Sequence, residues 1–117
     1  MTDQVFIEGL ECQAVIGVFE WEKQIRQKLV IDLIMGWDNR RAAEGDDYAH
    51  ALCYDTVSKA VTALVEGHSH ELVETVAEKI AALLLADFSV PWARVRVAKP
   101  GAVANAANVG VSIERMA

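Results

Sequence analysis

With 117 residues, 53% of them hydrophobic and 24% charged, the chain is sized for one core, so a single domain over residues 1–117 is expected and a second has no room. A net charge of −6, with Arg40-Arg41 as the only adjacent basic pair, argues against a surface that tracks nucleic-acid phosphates, and the acidity reads as solubility. The longest apolar run, Ile80 to Ala86, is too short to span a bilayer, and Met1-Thr2-Asp3-Gln4-Val5 lacks the basic and apolar regions of a secretory signal. No membrane contact is expected. Cys12 and Cys53 form no CxxC pair and read as two reduced thiols, which fits a cytoplasmic protein.

From Gln4 to Val18 the chain favours a strand, interrupted at Gly9 and Gly17. From Gln27 to Trp37 a second strand sets Leu29, Ile31, Leu33 and Met35 on one face, while Val30 and Ile34 make the other face partly apolar. Two semi-apolar faces imply that helices cover one and another subunit covers the other. Residues 38–53 read as a polar connection that has room for a short helical turn. Val57, Ala60, Val61, Leu64 and Val65 then recur at helical spacing behind Asp55, and Gly67 ends that helix. A second helix follows Ser69, with Leu72, Val73, Val76, Ala77, Ile80, Leu83 and Leu84 as its apolar stripe. Two further strands alternate through Ala93, Val95, Val97 and through Val109, Val111, Ile113, joined by the small-residue segment Lys99 to Asn108.

This order implies an α+β fold: an antiparallel four-stranded sheet with both helices on one face, ββααββ in sequence. Its open face and edges are a liability for a monomer, and joining sheets between subunits into a barrel would remove it.

Four separated segments carry a resemblance across nearly the whole chain. They are Ile16-Gly17-Val18-Phe19-Glu20-Trp21-Glu22 with Gln27-Lys28-Leu29, Asp46-Asp47 with Tyr54-Asp55, Leu72-Val73-Glu74, and Lys99-Pro100-Gly101-Ala102 leading to Asn108-Val109-Gly110-Val111. In this order and spacing they resemble the dihydroneopterin aldolase family. The sequence departs from the family pattern at Cys53, where a small polar residue often precedes the Tyr, and at Ala98, where Ser often precedes the Lys.

The resemblance implies a tunnelling fold, sites at the seams between subunits of a homo-oligomer (tetramer or octamer), and a small-molecule pterin substrate. It implies retro-aldol cleavage of dihydroneopterin to 6-hydroxymethyl-7,8-dihydropterin and glycolaldehyde, with a C2' epimerase side activity giving dihydromonapterin. Because the N5=C6 imine of the pterin takes up the electrons, neither metal nor cofactor is expected. By the same resemblance Lys99, Tyr54 and Glu22 are the catalytic candidates. Substrate binding falls to Glu74, which matches the two-donor pterin edge, with Leu72, Val73, Glu22, Tyr54 and Lys99. Each has a plainer alternative: Glu74 as a solvated first-turn carboxylate, Lys99 as an edge charge, Tyr54 as a half-buried aromatic, Glu22 as a hairpin-loop charge.

His50, His68 and His70 show no zinc-ligand spacing, and Trp21, Trp37 and Trp92 read as packing residues. The competing functions are a dihydroneopterin triphosphate 2'-epimerase, whose substrate asks for a basic patch that this acidic chain does not show, and a non-catalytic pterin-binding ring protein.

Overall fold

The structure, a computed structural model, describes residues 3–117; Met1 and Thr2, which open the N-terminal segment considered above, lie outside the described residues. Strand β1 (Gln4–Ile16) runs antiparallel to β2 (Gln27–Gly36), and a 3₁₀ turn, Glu20–Gln24, lies between them. Gly9 takes a φ of 68° where the β1–β2 register shifts between Ile7 and Leu10, a left-handed backbone suited to a bulge. Helix α1 (Arg40–Gly45) is short and has no buried residue. Helix α2 (Tyr54–Glu66) leads to the two-residue strand β3 (Ser69–His70), then to helix α3 (Val73–Asp87) and the antiparallel pair β4 (Trp92–Pro100) and β5 (Asn108–Met116).

The sheet order is β3-β1-β2-β4-β5. The expected four antiparallel strands are present, but the sheet is mixed and has five, because β3 pairs parallel with Val15–Ile16 at the end of β1. Two residues carry no periodicity, so nothing in the sequence marks Ser69-His70 as a strand ahead of the second helix. A third helix, α1, six residues long, stands where the polar connection had room for a short helical turn.

Alternation decides the core. Leu29, Ile31, Leu33 and Met35 of β2 are fully buried, against Val57, Val61 and Val65 of α2 and Val76, Ala77, Ile80 and Leu84 of α3. Ala93, Val95 and Val97 of β4 complete the layer. Both long helices therefore lie on one face of the sheet, α2 over β1 and α3 over β4 and β5. Leu72, assigned to the stripe of α3, is its exposed N-cap instead. Among the described residues no helix is long and apolar enough to cross a membrane.

Candidate active site at the end of the central strands

The cleft forms where β1 leaves the sheet, β4 ends and α3 begins. Gly17, with φ at 140°, turns the chain after β1 into the 3₁₀ turn that carries Glu22. A Cβ on Gly17 would collide with the Glu22 carboxylate, so only glycine lets that carboxylate rest on the backbone. Glu22 is 6% exposed, unlike an ordinary hairpin charge.

Its partners explain its burial. Lys99 Nζ donates to Glu22 Oε2 at 2.7 Å, and Gln27 Nε2 donates to the same oxygen at 3.1 Å. The Phe19 N–H donates to Oε1 at 3.3 Å. The Lys99 ammonium first, then the Gln27 amide, hold the Glu22 carboxyl well below its usual range, at about 2, so it is a carboxylate at neutral pH. Gln27 Nε2 also donates to the Ile16 carbonyl at 2.8 Å, which anchors the glutamate to the end of β1. Lys99 is in turn fixed by its place near the end of β4, before the turn at Gly101 (φ 72°).

The opposing wall is the start of α3. Leu72 is an extended N-cap, and Val73 and Glu74 occupy the first turn, where helix amides have no intrahelical partner. Among the described residues Glu74 joins no ion pair or side-chain hydrogen bond. Lys23 Nζ reaches Glu71 Oε2 at 3.1 Å and ties the 3₁₀ turn to this wall across the rim. Glu22, Leu72, Val73, Glu74 and Lys99 thus line one cavity of about 390 Å³, together with Gly101 and Ala102.

Tyr54 does not join them. It is 66% exposed and lines a separate cavity of about 440 Å³ with Tyr48, Cys53 and Asp55, sharing no lining residue with the cleft. A larger cavity of about 630 Å³ lies at the other end of β4, beside Trp92, Trp37 and His50, and contains none of the candidate residues. Trp37 and Trp92 are packing residues as expected, with Trp92 against Gly36, but Trp21 is exposed on the cleft lining. Gln27 was missed as a site residue: it stood in the resembling segment, but its bond to Glu22 is visible only in three dimensions. Among the described residues no three His, Cys, Asp or Glu side chains gather into a metal-binding group.

The family model for dihydroneopterin aldolase (FolB) matches residues 5–114. The chain belongs to this family. It is 56% identical over 113 residues to the dihydroneopterin aldolase of Escherichia coli (strain K12), covering 97% of this chain and 93% of that relative. A crystal structure of the Escherichia coli dihydroneopterin aldolase in complex with neopterin superposes with a TM-score of 0.95 at 55% identity, covering 97% of this chain and 99% of the other. A dihydroneopterin triphosphate 2'-epimerase of Pseudomonas aeruginosa is more distant, 30% identical over 94% of this chain and 89% of its own length. Family membership and the similarity to these enzymes agree with the resemblance found in the four sequence segments.

Proposed function

We propose that the chain is a dihydroneopterin aldolase, a carbon-carbon lyase of folate biosynthesis, and that the cleft carrying Glu22, Glu74 and Lys99 is its pterin site. The observation that carries this reading is the ion pair of Lys99 with the buried Glu22, in one cavity with the unpaired Glu74 carboxylate. Glu74 accepts the 2-amino and N3 hydrogens of the pterin, a planar edge that one carboxylate matches with two parallel bonds. Val73 and Leu72 add backbone contacts from the start of α3.

The bond that breaks joins the first and second carbons of the trihydroxypropyl chain. The hydroxyl proton on the second carbon leaves and that carbon becomes the aldehyde of glycolaldehyde. The bonding electrons pass through the first carbon into the C6=N5 imine, and N5 gains a proton. Loss of that proton and protonation of the first carbon then give 6-hydroxymethyl-7,8-dihydropterin. An ammonium has three donors, and only one of those on Lys99 is committed to Glu22, so Lys99 gives a proton to N5 and, as the amine so formed, takes up the hydroxyl proton, directly or through water. Glu22 fixes that ammonium and holds the side-chain hydroxyls or the water. The ring itself is the electron sink, and the scheme needs no metal or cofactor.

Cleavage and re-addition share an intermediate, so a C2' epimerase side activity giving dihydromonapterin belongs to the same reading. Against a triphosphate substrate stands the lining itself: among the described residues Lys99 is its one cation, already paired, beside the carboxylates Glu22, Glu71 and Glu74.

Tyr54 completes the site from a neighbouring subunit of a homo-oligomer, a tetramer or octamer. Supporting this are the exposure of Tyr54 outside the cleft, the exposed Phe19, Trp21 and Leu72 around it, and two open sheet edges, on β5 and along most of β1. The proposed place of action is the cytoplasm, where Cys12 and Cys53 stay free thiols. Incubating purified protein with dihydroneopterin tests the function: glycolaldehyde and hydroxymethyldihydropterin in equal amounts support it, and binding without turnover leaves a non-catalytic pterin protein.

A further inference from the structure

His70 has no role in the chemistry above, yet its side chain and that of Glu22 are the two buried polar or charged ones among the described residues; His70 is 7% exposed. Its backbone joins both walls of the cleft. Its carbonyl accepts the Gly17 N–H at 3.1 Å, extending the pairing of Ser69–His70 with Val15–Ile16, and Gly17 is the residue on which the Glu22 carboxylate rests. The residues that follow it, Glu71 to Glu74, form the opposing wall.

Its ring chemistry is equally constrained. His70 Nε2 lies 3.3 Å from Lys79 Nζ on α3, and Nδ1 is buried without a partner. An ammonium has only donors, so Nε2 is the acceptor and the neutral ring keeps its proton on Nδ1. The titratable groups facing it are Lys79 from α3 and His68 from the turn before β3, whereas β1 meets this strand with Val15 and Ile16. A second ring proton would set one donor against another and leave a cation buried. Burial first, then Lys79 and His68, push the imidazole below its ordinary 6.5. An apolar side chain would fill the space without a buried, unpaired N–H, so packing alone gives no reason for a histidine here.

We propose that His70 is a positioning residue of the reaction: its neutral imidazole, docked on Lys79, keeps the Gly17–Glu22 wall and the Glu71–Glu74 wall at the spacing that the pterin and Lys99 require. It acts through Gly17 and the start of α3 and touches no substrate. The role rests on the assignment of the cleft as the pterin site. Because the folded state favours the neutral ring, the stability it contributes is present above 6.5 and is lost as pH falls through its lowered folded value.

The test measures kcat and KM for dihydroneopterin against pH, together with hydrogen exchange at the Gly17 amide without ligand, in wild type, His70→Phe, His70→Gln and Lys79→Met. His70→Phe is expected to lose roughly 10- to 100-fold in kcat/KM, the scale of a displaced reacting group, with faster Gly17 exchange. His70→Gln, whose amide oxygen can accept from Lys79, should recover a larger share, and its Gly17 exchange should lack the extra acceleration expected of wild type below 6.5. Lys79→Met removes a cation beside the ring, so the acid-side loss should move to higher pH. A folded His70→Phe with wild-type kcat, KM and Gly17 exchange overturns the proposal. If His70→Phe does not fold, identical acid-side behaviour in wild type, His70→Gln and Lys79→Met overturns it equally. Absence of wild-type turnover sinks the pterin-site reading instead, and the Gly17 exchange arm then decides whether His70 holds the walls.

Discussion

Lys99 and Glu22 stand 77 positions apart in sequence, yet Lys99 Nζ donates to Glu22 Oε2 at 2.7 Å in a partly buried corner of the cleft. Partial removal from water strengthens such a pair and makes each partner depend on the other. Burial of the pair, with Gln27 as a second donor, fixes the ammonium where the substrate's N5 and hydroxyls are assigned.

Lys99 and Glu74 should therefore fail in different ways. Lys99→Ala is expected to lower kcat by about 10²- to 10⁴-fold, the usual range for a positioned acid or base. Glu74→Gln should weaken pterin affinity by roughly ten- to a hundredfold, the scale of a hydrogen bond to a charged group. Steady-state kinetics with calorimetry on a pterin product separates the two, and an unchanged kcat in a folded Lys99→Ala protein would remove Lys99 from the chemistry.

The lowered Glu22 carboxyl makes a pH-dependent contribution to folding. Its folded value, about 2, lies below the 4.5 of a free glutamate, so the unfolded chain binds the proton more readily. The stabilisation is complete above 4.5 and drains away as pH falls toward 2. Glu22→Gln has no such component, so the stability gap between wild type and variant, measured by denaturant melts, should narrow from pH 6 to about pH 3. A gap that stays constant would show that Glu22 titrates normally.

Gly17→Ala tests the packing that seats Glu22. The new Cβ meets the carboxylate and its backbone is held at a φ of 140°, which side chains rarely adopt. The substitution should displace Glu22, raise its pKa toward 4.5 in carbon-detected NMR, and lower kcat/KM by about 10²-fold. Wild-type kinetics in Gly17→Ala would mean that the Glu22 contact is not needed.

The two cysteines should react very differently. Hydrogen bonds from the Thr56 and Tyr48 hydroxyls pull the Cys53 thiol down to about 7, whereas burial pushes Cys12 up. Since the thiolate is the nucleophile, iodoacetamide should label one cysteine per chain, Cys53, at a rate that climbs with pH around a midpoint near 7. Comparable labelling of Cys12, or a midpoint near 9, would contradict this.

Periodicity made much of the fold readable. The β2 alternation and the Val57, Val61, Val65 spacing of α2 each record a face turned to the core, and all seven residues are buried. Where burial leaves no period the sequence says less: α1 buries nothing and is legible only as a short turn in a polar connection, and β3, two residues long, is not legible at all. The site divides the same way. Glu22, Glu74 and Lys99 stood in segments resembling a family, but Gln27 and His70 owe their roles to bonds with Glu22, Ile16, Gly17 and Lys79, which no spacing reveals.

In the proposed site one chain supplies Glu22, Glu74 and Lys99 while its neighbour supplies Tyr54. Homomeric Tyr54→Ala and Lys99→Ala proteins should each be nearly inactive, because every seam lacks one component. Unfolding the two together and reassembling them creates some seams with both wild-type residues, and activity should rise well above either parent in proportion to those seams. If mass spectrometry confirms subunit exchange and the mixed assemblies remain as inactive as the parents, the site does not draw Tyr54 from a neighbour.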